Sequence, residues 1–442
     1  MFWIVSAFLL FLTFYGPRIV RFLQEHLRRK RLTAPYEADD RYPIVGHMFH
    51  RDRRSEGIAR DAVLRANEAR ARGKEVTAAW MLHEAFVVPL TGRALKSILD
   101  SQTEIVKGSQ YDAILAWLGN GLLLSSGDVW KRKRRLLTPT FHFAMLDRYI
   151  EAMNRHSKVF SDELIMSVAG KETDLYPFIK RLTLDIICET AMGTDLDSQH
   201  QPSHPYVDAV MTILHYALRI TLEPTLWTKT GRKLLGVEKP YQQALAVAHD
   251  FTRKAIERRI EASAANGGVD KGTRVFLDML ISCTGENQMS VEEMREEVDT
   301  FMFEGHDTTA SGLSWIIWCL ACHPNLQERV RDELDEILGA DRERDITRED
   351  LNKMTYLERF VKETFRLFPP VPMVMRRLQE DLPCGVHTLP RQRFAIYEEK
   401  VAVSWLLRRF RFSTSIGLHD NAMLAEAVLR PMLGCLVTAT PL

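Results

Sequence analysis

The chain has 442 residues, 46% of them hydrophobic and 26% charged, which is enough apolar material for a large buried core and excludes disordered, collagenous and repetitive chains. Its 59 basic and 58 acidic residues leave a net charge of +1, which argues against nucleic acid as a partner. Six cysteines are too sparse for a disulfide scaffold and read as reduced thiols of a cytosol-facing domain.

Phe2 to Tyr15 carry no charge, and the uncharged stretch reaches Pro17. A spanning helix needs roughly 20 apolar residues, about 17 at the short end. Arg18 and Arg21 extend the stretch if they snorkel while Ile19, Val20, Phe22 and Leu23 stay buried. Positive charge follows the apolar run, at Arg28, Arg29, Lys30 and Arg31, the order of a signal anchor rather than a cleaved signal peptide. The expectation is a single-pass anchor over residues 1–23 with the bulk of the chain cytosolic, the alternative being a helix lying in the membrane interface. A basic and proline-containing linker is expected over 24–46, and one large domain over 47–442, since no linker composition interrupts it.

That domain reads as mainly α with a small β portion. Strand signals are few, chiefly Val76–Leu90 and the segments after Pro372. Tyr111–Leu124, with Trp117, is an apolar segment. Trp130 and Arg134 lie at helical spacing, where an arginine binds carboxylates bidentately. A solvated face is the reading for Lys131, Arg132 and Lys133. The stretch Ala264–Gly272 reads as a mobile connection. Ser290-Val-Glu-Glu293 is a capping box opening a helix of about 30 residues that ends at His323-Pro324 and is apolar on several faces near Trp315–Leu320. Inside it, Phe301–Thr309 (FMFEGHDTT) places Glu304, Asp307 and Thr308 around a glycine, poor choices for helix stability. A hydroxyl there can bond back to a carbonyl and bend the helix, and an acid–alcohol pair can relay protons; a satisfied polar kink is the bland alternative. Thr355-x-x-Glu358 opens another helix, stopped by Pro369-Pro370. Within it Glu363 and Arg366 share a face, an arrangement most often a structural surface ion pair. Gln392–Arg408 is the last strong helix. Cys319-Leu-Ala-Cys322 has no second pair at zinc spacing and reads as core thiols, so no metal ligand is assigned.

Together, Phe301–Thr309, Glu363-x-x-Arg366 and Val371–Arg376 resemble the cytochrome P-450 superfamily. More narrowly, Gly119–Leu123, Trp130, Leu137–His142, Leu184–Thr190, Arg393–Ala395 and Tyr397–Lys400 resemble its family 4 fatty-acid ω-hydroxylases. The resemblance implies the cytochrome P-450 fold, haem b and an endoplasmic-reticulum membrane location. It also implies a lipophilic substrate and electrons from NADPH through a reductase. It makes Asp307 and Thr308 the oxygen-activation pair, and Glu304 the acid that can form an ester with a haem methyl. Trp130, Arg134 and Arg376 become contacts of the haem propionates, and Glu363 and Arg366 two members of a structural ion network. Tyr111–Leu124 would line a substrate channel, with ordinary packing an equal alternative.

One part of the pattern is absent. The family's iron ligand is a cysteine thiolate in a loop just before the last long helix, and thiolate donation favours O–O cleavage. By register from Gln392–Ala395, Leu389, Pro390 and Arg391 stand where the family has Cys, any residue and Gly. Leucine cannot ligate iron, so no metal ligand is expected here. Family members run on the order of 500 residues, and an internal deletion of about 50–60 at 390/391 accounts for the difference. The expectation is therefore a family monooxygenase scaffold that, as written, is a catalytically inactive short isoform, pseudoenzyme or incomplete gene product.

Overall fold

The computed structural model describes residues 2–36, 55–81, 84–101, 104–138, 143–201, 204–265, 275–283, 288–378, 394–418, 420–425 and 428–442. They separate into two compact units near residue 102. The proposed junction at 390/391, Cys384 and Leu389, and most of Ala264–Gly272, lie outside the described residues.

The first unit begins with α1 (Phe2–Thr33), a single helix that runs past Leu23 and carries Pro17 within it. The first ten residues expected as linker are thus helical. Two helices, α2 (Ser55–Ala71) and α3 (Gly92–Asp100), flank an antiparallel hairpin of β1 (Val76–Met81) and β2 (Glu84–Pro89), in register Val76↔Pro89. Trp80 ties the hairpin to α1, its indole N–H donating to the Thr33 hydroxyl at 3.2 Å. Val20, Phe22, Leu23 and Leu27 of α1 are about half exposed beside Arg28 and Arg31. Among the described residues no helix is long and apolar enough to cross a membrane.

The second unit is built on helices: α4 (Asp112–Leu118), α5 (Gly127–Leu137), α6 (Phe143–Val159), α7 (Tyr176–Ile187), α8 (Pro205–Leu222) and α9 (Glu238–Ala265), then α10 (Val291–Cys322), α11 (Pro324–Leu338), α12 (Thr355–Leu367) and α13 (Phe394–Leu407). The Ser290 capping box forms, and α10 runs 32 residues through the interior. It serves two apolar clusters. Met294, Val298, Met302 and Phe303 pack with Trp117, Ile187, Ile213 and Ile256, whereas Ala310 to Ala321 pack with α6, α7 and α13. Residues 304–309 lie at the changeover between the two. That explains a polar interruption in an otherwise apolar helix.

The helix opens at Thr355 as expected, but Thr355 and Glu358 make no capping box. The Glu333 carboxylate of α11 instead accepts from the Tyr356 and Leu357 N–H groups at 2.7 and 2.9 Å. Glu358 is drawn away to Lys362 and to Lys400 of α13, the latter at 2.9 Å. The β portion is small: β3 (Glu172–Asp174) and β4 (Phe410–Ser413) flank the later β7 (Leu436–Pro441), all antiparallel, and β5 (Met423–Ala425) pairs with β6 (Leu429–Pro431). Among the described residues after Pro372, an isolated bridge, Lys107↔Arg376, is the only β pairing before these later strands.

Candidate functional site

At Gly305, α10 packs closely on α7, for a Cβ there would stand 2.6 Å from the Ile187 side chain. The glycine that weakens the helix locally is required by this contact. One turn on, the Thr308 hydroxyl donates back to the Glu304 carbonyl, the expected i−4 bond. Asp307 points to α7 instead, where the Lys180 ammonium meets its carboxylate at 3.0 Å, both side chains under 10% exposed. Burial alone would raise the Asp307 carboxyl, but Lys180 outweighs it and holds the group below its ordinary value. Asp307 and Thr308 therefore lie next to each other without a mutual hydrogen bond, one engaged across the helix pair and one within its own helix. Between them and Glu304, His306 is buried, and burial with Lys180 nearby lowers its imidazole to about 3.

Glu304 is partly exposed by area yet surrounded by protein, and burial pushes its carboxyl up to about 7 against the pull of Lys107 and Arg134. Lys107 lies across from Arg376 in the isolated bridge, over the Tyr111 ring at 5.7 Å. Burial, then repulsion from Arg376, lowers its ammonium to about 8. The Arg376 guanidinium donates to the Met375 carbonyl at 3.1 Å. So Lys107 and Arg134 bring cationic charge to the half-buried Glu304, and Arg376 lies beside Lys107. Lys107 belongs to no recognisable motif, and only the fold brings it here beside Tyr111.

Trp130 and Arg134 sit one turn apart on α5, partly buried and exposed respectively. The solvated-face reading holds for Lys131 and Arg132 but not for Lys133, which is 3% exposed. Lys133 shares the inward face with Trp130 and Leu137, and its ammonium binds the Glu297 carboxylate at 2.7 Å and the Asn120 carbonyl at 2.6 Å. Trp117, at 0% exposed and 5.3 Å from Phe303 between ring centroids, is a packing residue. Glu363 and Arg366 form a bidentate pair at 2.7 and 2.8 Å, exposed and bound to each other.

The family model for cytochrome P450 matches residues 37–391. Cytochrome P450 4V2 of Pongo abelii is 31% identical over 459 aligned residues, covering 89% of this chain and 87% of that one. Cytochrome P450 4c3 of Drosophila melanogaster is 34% identical, covering 78% of each. The haem domain of a cytochrome P450DA mutant superposes with a TM-score of 0.74 at 17% identity, over 92% of this chain and 97% of that one. Helix order, the long central helix and small peripheral sheets are thus those of a haem-domain fold. The chain belongs to the cytochrome P450 family, a family of haem b monooxygenases that draw electrons from NADPH through a reductase partner. Within it, the relatives it resembles are family 4 members, 4V2, 4c3 and 4d2.

The described residues fit this cofactor on one side only. The cations at Lys107, Arg134 and Arg376 suit a ligand edged with carboxylates. Among the described residues, no cysteine is held as a thiolate. Burial pushes the Cys319 and Cys322 thiols up to about 12 and about 11, and raises Cys188 and Cys435 well above their ordinary value. Cys283 is raised as well. Cys435 is spent on the Ser314 carbonyl at 3.4 Å. Among the described residues no cluster of metal-binding side chains occurs. A cavity of about 450 Å³ between α8 and α9, lined by Tyr206, Phe251 and Lys254, shares no residue with this site.

Proposed function

We propose that this chain descends from monooxygenases that hydroxylate fatty acids or similar lipophilic molecules, and that as written it is a scaffold without the haem-thiolate centre. The observation that carries the reading is that the five cysteines among the described residues all have raised thiols, none of them poised as a thiolate. Two features of the comparisons support it. The family match stops at residue 391, next to Leu389, Pro390 and Arg391, which in this reading stand at the ligand register. The alignment with the Pongo abelii relative also spans more positions than the matched part of this chain has residues, so that relative carries several dozen residues that this chain lacks.

In this reading Trp130, Arg134 and Arg376 hold the propionate edge of haem b, and Glu304 faces the ring as the ester-forming acid of the family. Asp307 and Thr308 are the remnants of the oxygen-activation pair, and Glu363 and Arg366 lack the third member of their network. The half-exposed apolar residues of α1 and the arginines beside them hold the chain at the endoplasmic-reticulum membrane, with the body on the cytosolic side, where the reductase is met. The test is haem retention. The full chain, expressed with haem precursor and purified in detergent, should carry far less than one haem per chain by pyridine haemochrome assay. Stoichiometric haem would overturn the proposal.

A further inference from the structure

Helix α13 carries Glu398 and Glu399 side by side in the interior, each 1% exposed. Both carboxylate oxygens of Glu398, and Oε2 of Glu399, lack a hydrogen-bond partner among the described residues. The surroundings are close-packed and apolar. A Cβ on Gly312 of α10 would stand 2.5 Å from Glu399 Oε1 and 3.0 Å from the Phe365 ring of α12. The cation next in sequence, Lys400, is engaged elsewhere, donating to the Leu351 carbonyl at 2.8 Å and to Glu358 of α12 at 2.9 Å. The Glu363–Arg366 pair of α12 is exposed and closed on itself. An isolated carboxylate in such a place costs so much that the group takes up a proton instead.

We propose that α13 docks into the core only with Glu398 and Glu399 both protonated, so that the second unit is a proton-loaded fold that loosens as the pH rises. The direction follows from linkage. In the unfolded chain the two carboxyls titrate near 4.5, whereas burial, and for Glu399 also the neighbouring Glu398, keeps them protonated well above that. Above 4.5 the folded chain therefore holds protons that the unfolded chain has lost, and stability falls with rising pH through neutrality. Each retained proton weakens the folding equilibrium about tenfold per pH unit, and the pair about a hundredfold. Glu358, held down to about 2, has finished titrating below this window. Asp299 and Glu304, both near 7, titrate inside it, so a matched variant is needed.

The test is urea unfolding of the full chain, followed by circular dichroism between pH 5.5 and 8.5, for the wild type and the Glu398→Gln/Glu399→Gln variant. The wild-type folding constant should fall with pH, and the variant should fall less steeply, by up to about a hundredfold per unit, and be the more stable at pH 8.5. Parallel curves would overturn the proposal. Should the variant fail to fold, proton release on unfolding of the wild type at pH 8 decides. A release of about two protons upholds the proposal and none overturns it.

Discussion

Lys180 reaches Asp307 from α7 at 3.0 Å with both charges out of solvent. Removing one partner of such a pair leaves the other uncompensated. Lys180→Met should therefore cost about 3–5 kcal/mol of stability by denaturant unfolding. The double variant Lys180→Met/Asp307→Leu should recover most of that loss, and a single variant as stable as wild type would contradict the account. At this scale the sequence was partly readable. The back-bond of Thr308 follows from a hydroxyl one turn after a carbonyl, and Gly305 flags itself as a poor helix residue. The engagement of Asp307 was not readable, because its partner comes from another helix and no local pattern names it. Lys133 misled for the opposite reason: a run of basic residues looks solvated until one of them meets the buried Glu297.

Among the elements, the start of α12 shows how a sequence signature is overridden. Thr355-x-x-Glu358 spells a capping box, but Glu358 gains more from Lys400 and Lys362, and Glu333 of α11 supplies the cap from outside. Glu333→Ala should destabilise by about 1 kcal/mol, measured by thermal melting, as loss of a helix cap does. Glu358→Gln should leave that capping intact. A second test concerns the π-helical turn Cys188–Met192, which Glu189 fastens to α6 through His156 at 2.7 Å and through Arg155. Burial would raise the Glu189 carboxyl, yet these partners hold it down to about 2. Its folded value lies below the unfolded one near 4.5, so its contribution is complete above 4.5 and is lost as the pH falls toward 2. Glu189→Gln should flatten the acid limb of the stability profile. An unchanged limb would contradict the assignment. The long helices were legible from apolar spacing and caps, whereas β3, β5 and β6, at three residues each, are too short to carry a period-2 signal.

Over the whole molecule, α10 is the common wall of two apolar clusters, and its polar stretch 304–309, one of the carriers of the family resemblance, sits where the clusters meet. The haem-domain fold survives in the order and packing of α5, α7, α10 and α12, which is why the family was legible from motifs alone. Lys107 was not, since the isolated bridge to Arg376 brings it to the site from outside every motif. On the proposal above, Glu398 and Glu399, held high, lower stability as the pH rises above 4.5, whereas Glu189 and His306, held low, lower it as the pH falls. The central claim, that a family 4 scaffold here lacks its thiolate, is tested most directly by the reduced, carbon-monoxide-bound difference spectrum of the full chain expressed with haem precursor. The account predicts no red-shifted thiolate Soret band, with at most the blue-side band of a haem without sulfur ligation. A clear thiolate band would contradict it and show that one of the six cysteines reaches the iron.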